Sequence, residues 1–67
     1  MAIMKVIEVM ANSSKSWEDA AKQAVKHASK TVKNIKSAYI NEQSMVVKDN
    51  DVSEFRVNVK TSFTVND

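Results

Sequence analysis

Two short segments of the sequence carry enough oxygen-bearing side chains to coordinate a cation. The first is KDND, with Asp49, Asn50 and Asp51. The second is NSSKSWED, which contributes Asn12, Ser13, Ser14, Glu18 and Asp19. Calcium takes roughly six to eight oxygen ligands from carboxylates and carbonyls. Neither segment matches an EF-hand loop, which needs a central glycine, because the chain has no glycine.

Each segment also has a purely structural interpretation. KDND is a suitable hairpin turn, since Asn and Asp tolerate the left-handed backbone region. In NSSKSWED, Ser16 is the best helix N-cap, and Glu18 and Asp19 then lie in the first turn, where they oppose the helix dipole. A carboxylate at a symmetry axis is repeated by every copy, so one Glu or Asp per chain could still complete a cation site. The sequence leaves these interpretations open.

Residue types that support catalysis are sparse. The chain has no cysteine and one histidine, His27, which lies beside Lys26 and away from any apolar stripe. No serine or carboxylate has the spacing of a catalytic triad or of a paired acid and base. We therefore expect a protein that is not an enzyme, with His27 on a solvated surface.

Net charge and hydropathy limit the classes of partner that the protein can have. The net charge is +2, and the lysines are spread out without interleaved aromatic residues, which argues against a nucleic-acid partner. The longest apolar runs are far too short to span a membrane, and the N-terminal segment lacks the pattern of a signal peptide. We expect a cytoplasmic protein of one domain, residues 1–67. A chain of 67 residues without disulfides needs further support, and oligomerisation is the expected source.

The elements that must position these groups are predicted by periodicity. From Glu54 to Val65 apolar residues or threonine alternate strictly with polar ones, which indicates a strand with one buried face. Small and apolar residues recur in steps of three and four from Trp17 to Ile35, which predicts an amphipathic helix over about 17–34 with a stripe rich in alanine. Val- and Ile-rich segments at 4–11 and 37–47 predict two more strands.

The predicted order is β-α-β-β in an α+β fold, with the second and third strands antiparallel. The odd-numbered face of the last strand should pack on the alanine stripe. One helix covers only one face of a three-stranded sheet, so the other face should be exposed to solvent or covered by another subunit. The polar residues of that side are Arg56, Asn58, Lys60 and Ser62, with Tyr39, Asn41 and Gln43 as expected neighbours if Ala38 and Ile40 face the helix.

This pattern resembles the dodecin family over nearly the whole chain. The resemblance rests on KVIEV, on NSS before the helix, on SWEDAAKQAVKHASKTVKNIKSA, and on FRVNVKTSF near the end. It implies a three-stranded antiparallel curved sheet wrapped around one helix. It also implies a hollow homododecameric shell, in which typical members bind flavins such as riboflavin or FMN.

The resemblance also locates the flavin site and shows where this chain departs from it. Typical dodecins place a stacking tryptophan where this chain has Ser37, and a glutamine where it has Arg56. Serine cannot stack, and arginine offers donors only. These departures resemble a subgroup described as calcium-associated, which shares SWE, an EQ pair in the second strand and an arginine in the third. The lone Trp17 is expected to be a core or interface residue.

Two interpretations of the polar face follow. One is a polar, water-filled contact between subunits. The other is a pocket for a planar or anionic ligand, in which Arg56 pairs with a phosphate or carboxylate and Tyr39 stacks. Together the sequence predicts a non-enzymatic shell that sequesters a small ligand or cation, with Ser37, Tyr39 and Arg56 as ligand-site equivalents. Its candidate calcium ligands are Glu18, Asp49, Asn50 and Asp51. The alternatives are flavin storage and a structural assembly without a dedicated ligand.

Overall fold

A computed structural model describes residues 3–65 as three strands and one helix. The elements are β1 (Ile3–Ser13), α1 (Trp17–Ala28), β2 (Ile35–Lys48) and β3 (Asp51–Val65). They form one antiparallel sheet in the order β1-β3-β2, so the last strand is central and the other two are its edges. The predicted α+β fold with β-α-β-β order is confirmed.

Strand β3 is the longest element, at 15 residues. At about 3.3 Å per residue it accounts for most of the long dimension of the molecule, which measures 51 × 19 × 13 Å. The alternation predicts its buried side correctly. Val57, Val59 and Thr61 are almost completely buried, while the even-numbered residues between them are half-buried.

The helix packs against this central strand through small side chains. Ala20 and Ala24 form the core cluster with Val57 and Val59, and Ala28 is buried further along the same stripe. Alanine leaves little between the helix backbone and the sheet, so the two can approach closely. Val9, Ala11, Trp17 and Ala21 surround the cluster.

The N-terminus of the helix is fixed by hydroxyl groups. Ser16 Oγ accepts a hydrogen bond of 3.0 Å from the Asp19 amide, as expected for an N-cap. Asp19 in turn accepts one of 2.6 Å from Ser13 Oγ, which also accepts from the Lys15 amide at 2.9 Å. This network ties the end of β1 to the first turn of α1.

The helix is shorter than predicted: it ends at Ala28 and not near residue 34. Ala28 O accepts from the Thr31 and Val32 amides at 3.1 and 2.9 Å, and His27 O accepts from the Lys30 amide at 3.1 Å. Ser29 Oγ donates to Lys26 O at 2.7 Å, so a tight turn and a hydroxyl group satisfy the last carbonyls. The chain then reverses at Asn34, whose φ is 64°, and enters β2. Strands β1 and β2 also extend beyond their predicted bounds of 4–11 and 37–47.

The sheet has two faces of different character, and we name them here. The helix face carries Val57, Val59, Thr61 and the residues opposite them, which include Val9, Ala38 and Ile40. The open face carries the even-numbered residues of β3 and their partners, which are Met4, Val6, Glu8, Met10 and Asn12 from β1 and Ser37, Tyr39, Glu42, Ser44 and Val46 from β2.

Replacing Val57 by Asp tests the assignment of the faces. Val57 is 0% exposed, so the variant loses apolar burial and places an unpaired charge against the alanine stripe. We expect the free energy of unfolding to fall by more than about 3 kcal/mol. Urea unfolding followed by far-UV circular dichroism, at a fixed protomer concentration, measures it.

Val52→Asp is the matched control, since Val52 lies in the same strand and is 48% exposed. We expect it to change stability by no more than about 0.5 kcal/mol. Equal losses in the two variants would show that the buried side of β3 has been assigned wrongly.

Candidate functional site

The open face brings polar side chains from all three strands together at its centre. Asn58 Nδ2 donates to Glu8 Oε2 at 3.2 Å, and Glu42 lies directly opposite Asn58 in the register of β2 with β3. Side chains directly opposite in an antiparallel pair have Cβ atoms about 4.5–5.5 Å apart. We call Glu8, Glu42 and Asn58 the Asn58 cluster.

The carboxamide oxygen of Asn58 is the unusual atom of this cluster. Oδ1 is buried, and no donor within the described residues lies in hydrogen-bonding range. A buried carbonyl oxygen without a partner costs about 1–3 kcal/mol. The atom is therefore suited to an electropositive partner, either a cation or a donor from another molecule.

A β-bulge at Asn41 is what places Glu42 in the cluster. The register steps from Ile40 opposite Val59 to Glu42 opposite Asn58, so Asn41 is the extra residue. The expectation that Gln43 lies beside the polar residues of β3 is wrong, because Gln43 is opposite Val57 on the helix face. Tyr39 is on the open face as expected, opposite Lys60 and 55% exposed.

Sequence reasoning missed Glu8 and Glu42 as candidate ligands. Glu8 is the only carboxylate in β1, and that was the available signal. The face of Glu42 depends on the bulge, and the surrounding sequence NEQS is polar at every position, so no alternation marks it.

The three predicted ligand-site equivalents are spread along the open face. Ser37 is opposite Ser62, and their Oγ atoms lie 2.9 Å apart. Arg56 is six residues from Ser62 along β3, or about 20 Å. Within one chain Ser37 and Arg56 are not neighbours, so a ligand that touches both needs residues of two copies.

Arg56 is already held by its neighbours. Its Nε donates to Asn12 Oδ1 at 3.0 Å, and Asn12 Nδ2 donates to Glu54 Oε2 at 3.3 Å. This chain of hydrogen bonds orients the guanidinium group along the open face between β1 and β2, where Ser44 is its partner in the register.

The predicted cation segments lie in different places. Asp49 and Asn50 form the two-residue turn between β2 and β3, with φ of 52° and 66°, which fits a type I′ hairpin. Glu18 is exposed in the first turn of α1. Within residues 3–65, no group of three or more His, Cys, Asp or Glu is placed to hold a metal ion.

Trp17 is a packing residue, as predicted. Its ring meets Phe55 edge to face, with centroids 5.1 Å apart, and its Nε1 donates to Ser44 O at 2.9 Å. His27 is exposed on α1, also as predicted.

Comparison with known proteins identifies the family. The sequence profile described as Dodecin matches residues 3–66 of this chain. The chain therefore belongs to the dodecin family. No helix within the described residues 3–65 is long and apolar enough to cross a membrane.

Individual relatives refine the comparison. Over 63 residues the chain is 36% identical to a protein named calcium dodecin from Mycobacterium tuberculosis, covering 94% of this chain and 89% of that protein. A calcium dodecin from M. tuberculosis, a calcium-chelating immunodominant antigen, has a crystal structure with a novel calcium-binding site. It matches with a TM-score of 0.84 and 34% identity, covering 96% of this chain and 91% of that one.

A dodecin from Streptomyces coelicolor shares the fold at lower identity. Its TM-score is 0.93 at 23% identity, covering 98% of this chain and 94% of that one. The predicted dodecin-like architecture is thereby confirmed.

The hairpin turn gives a prediction that separates its structural role from a role in cation binding. Asn50 has a positive φ, which glycine adopts freely and a β-branched residue does not. We expect Asn50→Gly to keep or slightly raise the urea midpoint, and Asn50→Val to lower the free energy of unfolding by about 1–2 kcal/mol. Equal stability of the two variants would contradict the turn geometry.

Proposed function

We propose that this dodecin is a non-enzymatic binding protein whose copies assemble into a hollow homododecameric shell. We also propose that its ligand is a cation, and Ca²⁺ is the first candidate. The family match supports the assembly, and the relatives named calcium dodecin support the ligand. The observation that carries the proposal is the buried, unpartnered Oδ1 of Asn58. The Nδ2 of the same side chain donates to the carboxylate of Glu8, and Glu42 is opposite Asn58 in the register. A single domain over residues 1–67 and a cytoplasmic location stay predictions.

The open face supports assembly by its composition. Met4, Val6, Met10 and Tyr39 are large side chains that lie on it with about half or more of their surface exposed. Both β1 and β2 are edges of the sheet and offer backbone hydrogen-bonding groups to further strands. A neighbouring copy would cover these surfaces and bring further oxygen atoms towards the Asn58 cluster.

The chemistry of the cluster suits a hard cation. Glu8 and Glu42 supply carboxylate oxygens and Asn58 supplies an amide oxygen, which are the ligand types that calcium prefers. Water and groups from a second copy would complete the coordination. The segment Asp49–Asp51 and Glu18 are the competing candidates, and each would need copies of itself at a symmetry axis.

Calorimetric titration of the intact, chelator-treated assembly with Ca²⁺ tests the proposal. We expect binding that Glu8→Gln combined with Glu42→Gln abolishes, because both charged ligands become neutral amides. Glu18→Gln combined with Asp51→Asn removes the same number of charges elsewhere and serves as the matched control. Light scattering of each variant checks that the assembly is unchanged.

The outcomes separate the candidate sites. Loss of binding only in the Glu18 and Asp51 variant would move the site to the segments predicted from sequence. An intact particle that binds no Ca²⁺ would contradict the cation proposal. Riboflavin and FMN fluorescence-quenching titrations would then test flavin storage, the alternative that the family resemblance implies.

Lys60 provides a second and independent test. It lies on the open face, opposite both Glu8 and Tyr39, and two residues from Asn58 along β3. Its positive charge opposes a bound cation, so we expect Lys60→Gln to raise calcium affinity by roughly three- to tenfold. Lys30→Gln, in the turn after α1, makes the same change in net charge and should leave the affinity unaltered. Equal effects of the two variants would contradict a site at the Asn58 cluster.

A further inference from the structure

Helix α1 leaves a groove on the helix face of the sheet, which is the side opposite the Asn58 cluster. Helix α1 lies over β1 and β3, so the helix face of β2 is only partly covered. The space between α1 and β2 is a groove of about 440 Å³, lined by Ala21, Lys22, Val25, Lys26 and Ala38. This volume is within the range of small-molecule sites, about 300–1,000 Å³.

The groove combines an apolar floor with a positive rim. Ala21, Val25 and Ala38 provide the floor, and the two lysines stand one helical turn apart. Like charges at this spacing repel each other weakly. Ala38, Ile40 and Gln43, which β2 presents on the helix face beside the groove, are uncharged. Lys36, two residues before Ala38 in β2, is also positive. The positive charge of the rim therefore has no acidic counterpart across the groove.

We propose that this groove binds a small organic anion with an apolar body. The apolar body lies on Ala21, Val25 and Ala38, and the anionic group pairs with both Lys22 and Lys26. A single anion between the two ammonium groups also relieves their repulsion. The site lies on the opposite side of the sheet from the Asn58 cluster and does not depend on it.

The test uses the intact assembly, one fluorescent dye and two competing ligands. Fluorescence of 8-anilinonaphthalene-1-sulfonate reports occupancy, and decanoate and decanol compete for the groove. We expect decanoate to displace the dye at lower concentration than decanol, because only decanoate carries a charge. Lys22→Gln combined with Lys26→Gln should weaken decanoate binding by roughly five- to tenfold.

Two further variants keep the test specific. Lys30→Gln combined with Lys33→Gln removes the same charge from residues outside the groove and should leave decanoate binding unchanged. Ala38→Leu keeps every charge but fills the floor, and since Ala38 is exposed the fold should tolerate it. We expect this variant to lose binding of both the dye and decanoate.

Three results would overturn the proposal. They are equal losses in the two lysine pairs, equal competition by decanoate and decanol, and an intact assembly that does not bind the dye. The affinity of each of these variants for Ca²⁺ should be unchanged. A failure of the groove proposal can therefore be distinguished from a failure of the cation proposal.

Discussion

Close contact between an alanine stripe and one central strand governs this structure. Ala20, Ala24 and Ala28 let the helix approach Val57, Val59 and Thr61. Of the buried residues within 3–65, only Ser13 lies outside this contact. The contact is narrow because alanine is small. The helix therefore covers the middle and one edge of the sheet and leaves the rest of it exposed. In a chain of 67 residues this is a small core, and the proposed assembly would add further buried apolar surface to it.

The surfaces that the helix leaves free are the ones where we propose binding. The open face carries the acidic and amide groups of the Asn58 cluster beside Lys60, with large apolar side chains around them. This composition suits the proposed contact between copies that also encloses a cation. The groove beside β2 carries lysines and an apolar floor, which suits an anion. Glu8 and Glu42 make the Asn58 cluster acidic, and Lys22 and Lys26 make the rim of the groove basic. The two proposed sites lie on opposite sides of one sheet and would take ligands of opposite sign.

The sequence predicts the strands and the buried faces well because their signals are local. Strict alternation along β3 identifies Val57 and Val59 as buried, and steps of three and four identify the alanine stripe. The end of the helix is not predicted. Val32 and Ile35 continue the helical spacing, although Ser29 and Thr31 already bond the last carbonyls and Ile35 pairs with Phe63.

The candidate site is less accessible from sequence than the fold. The position of Tyr39 on the open face follows from alternation, and the turn at Asp49 and Asn50 follows from residue type. Alternation alone would place Gln43 on the open face, whereas the structure places Glu42 there. The difference comes from the bulge at Asn41, which shifts the alternation by one residue and depends on pairing with β3. The unpartnered oxygen of Asn58 depends on how three strands meet, which no single segment encodes.

The environment of Trp17 has a practical consequence. The indole joins the start of the helix to both β2 and β3, through its hydrogen bond to Ser44 and its contact with Phe55. It is also the only tryptophan in the chain. Its emission is thus an intrinsic optical reporter of the docking between helix and sheet, present in every copy of an assembly and requiring no label.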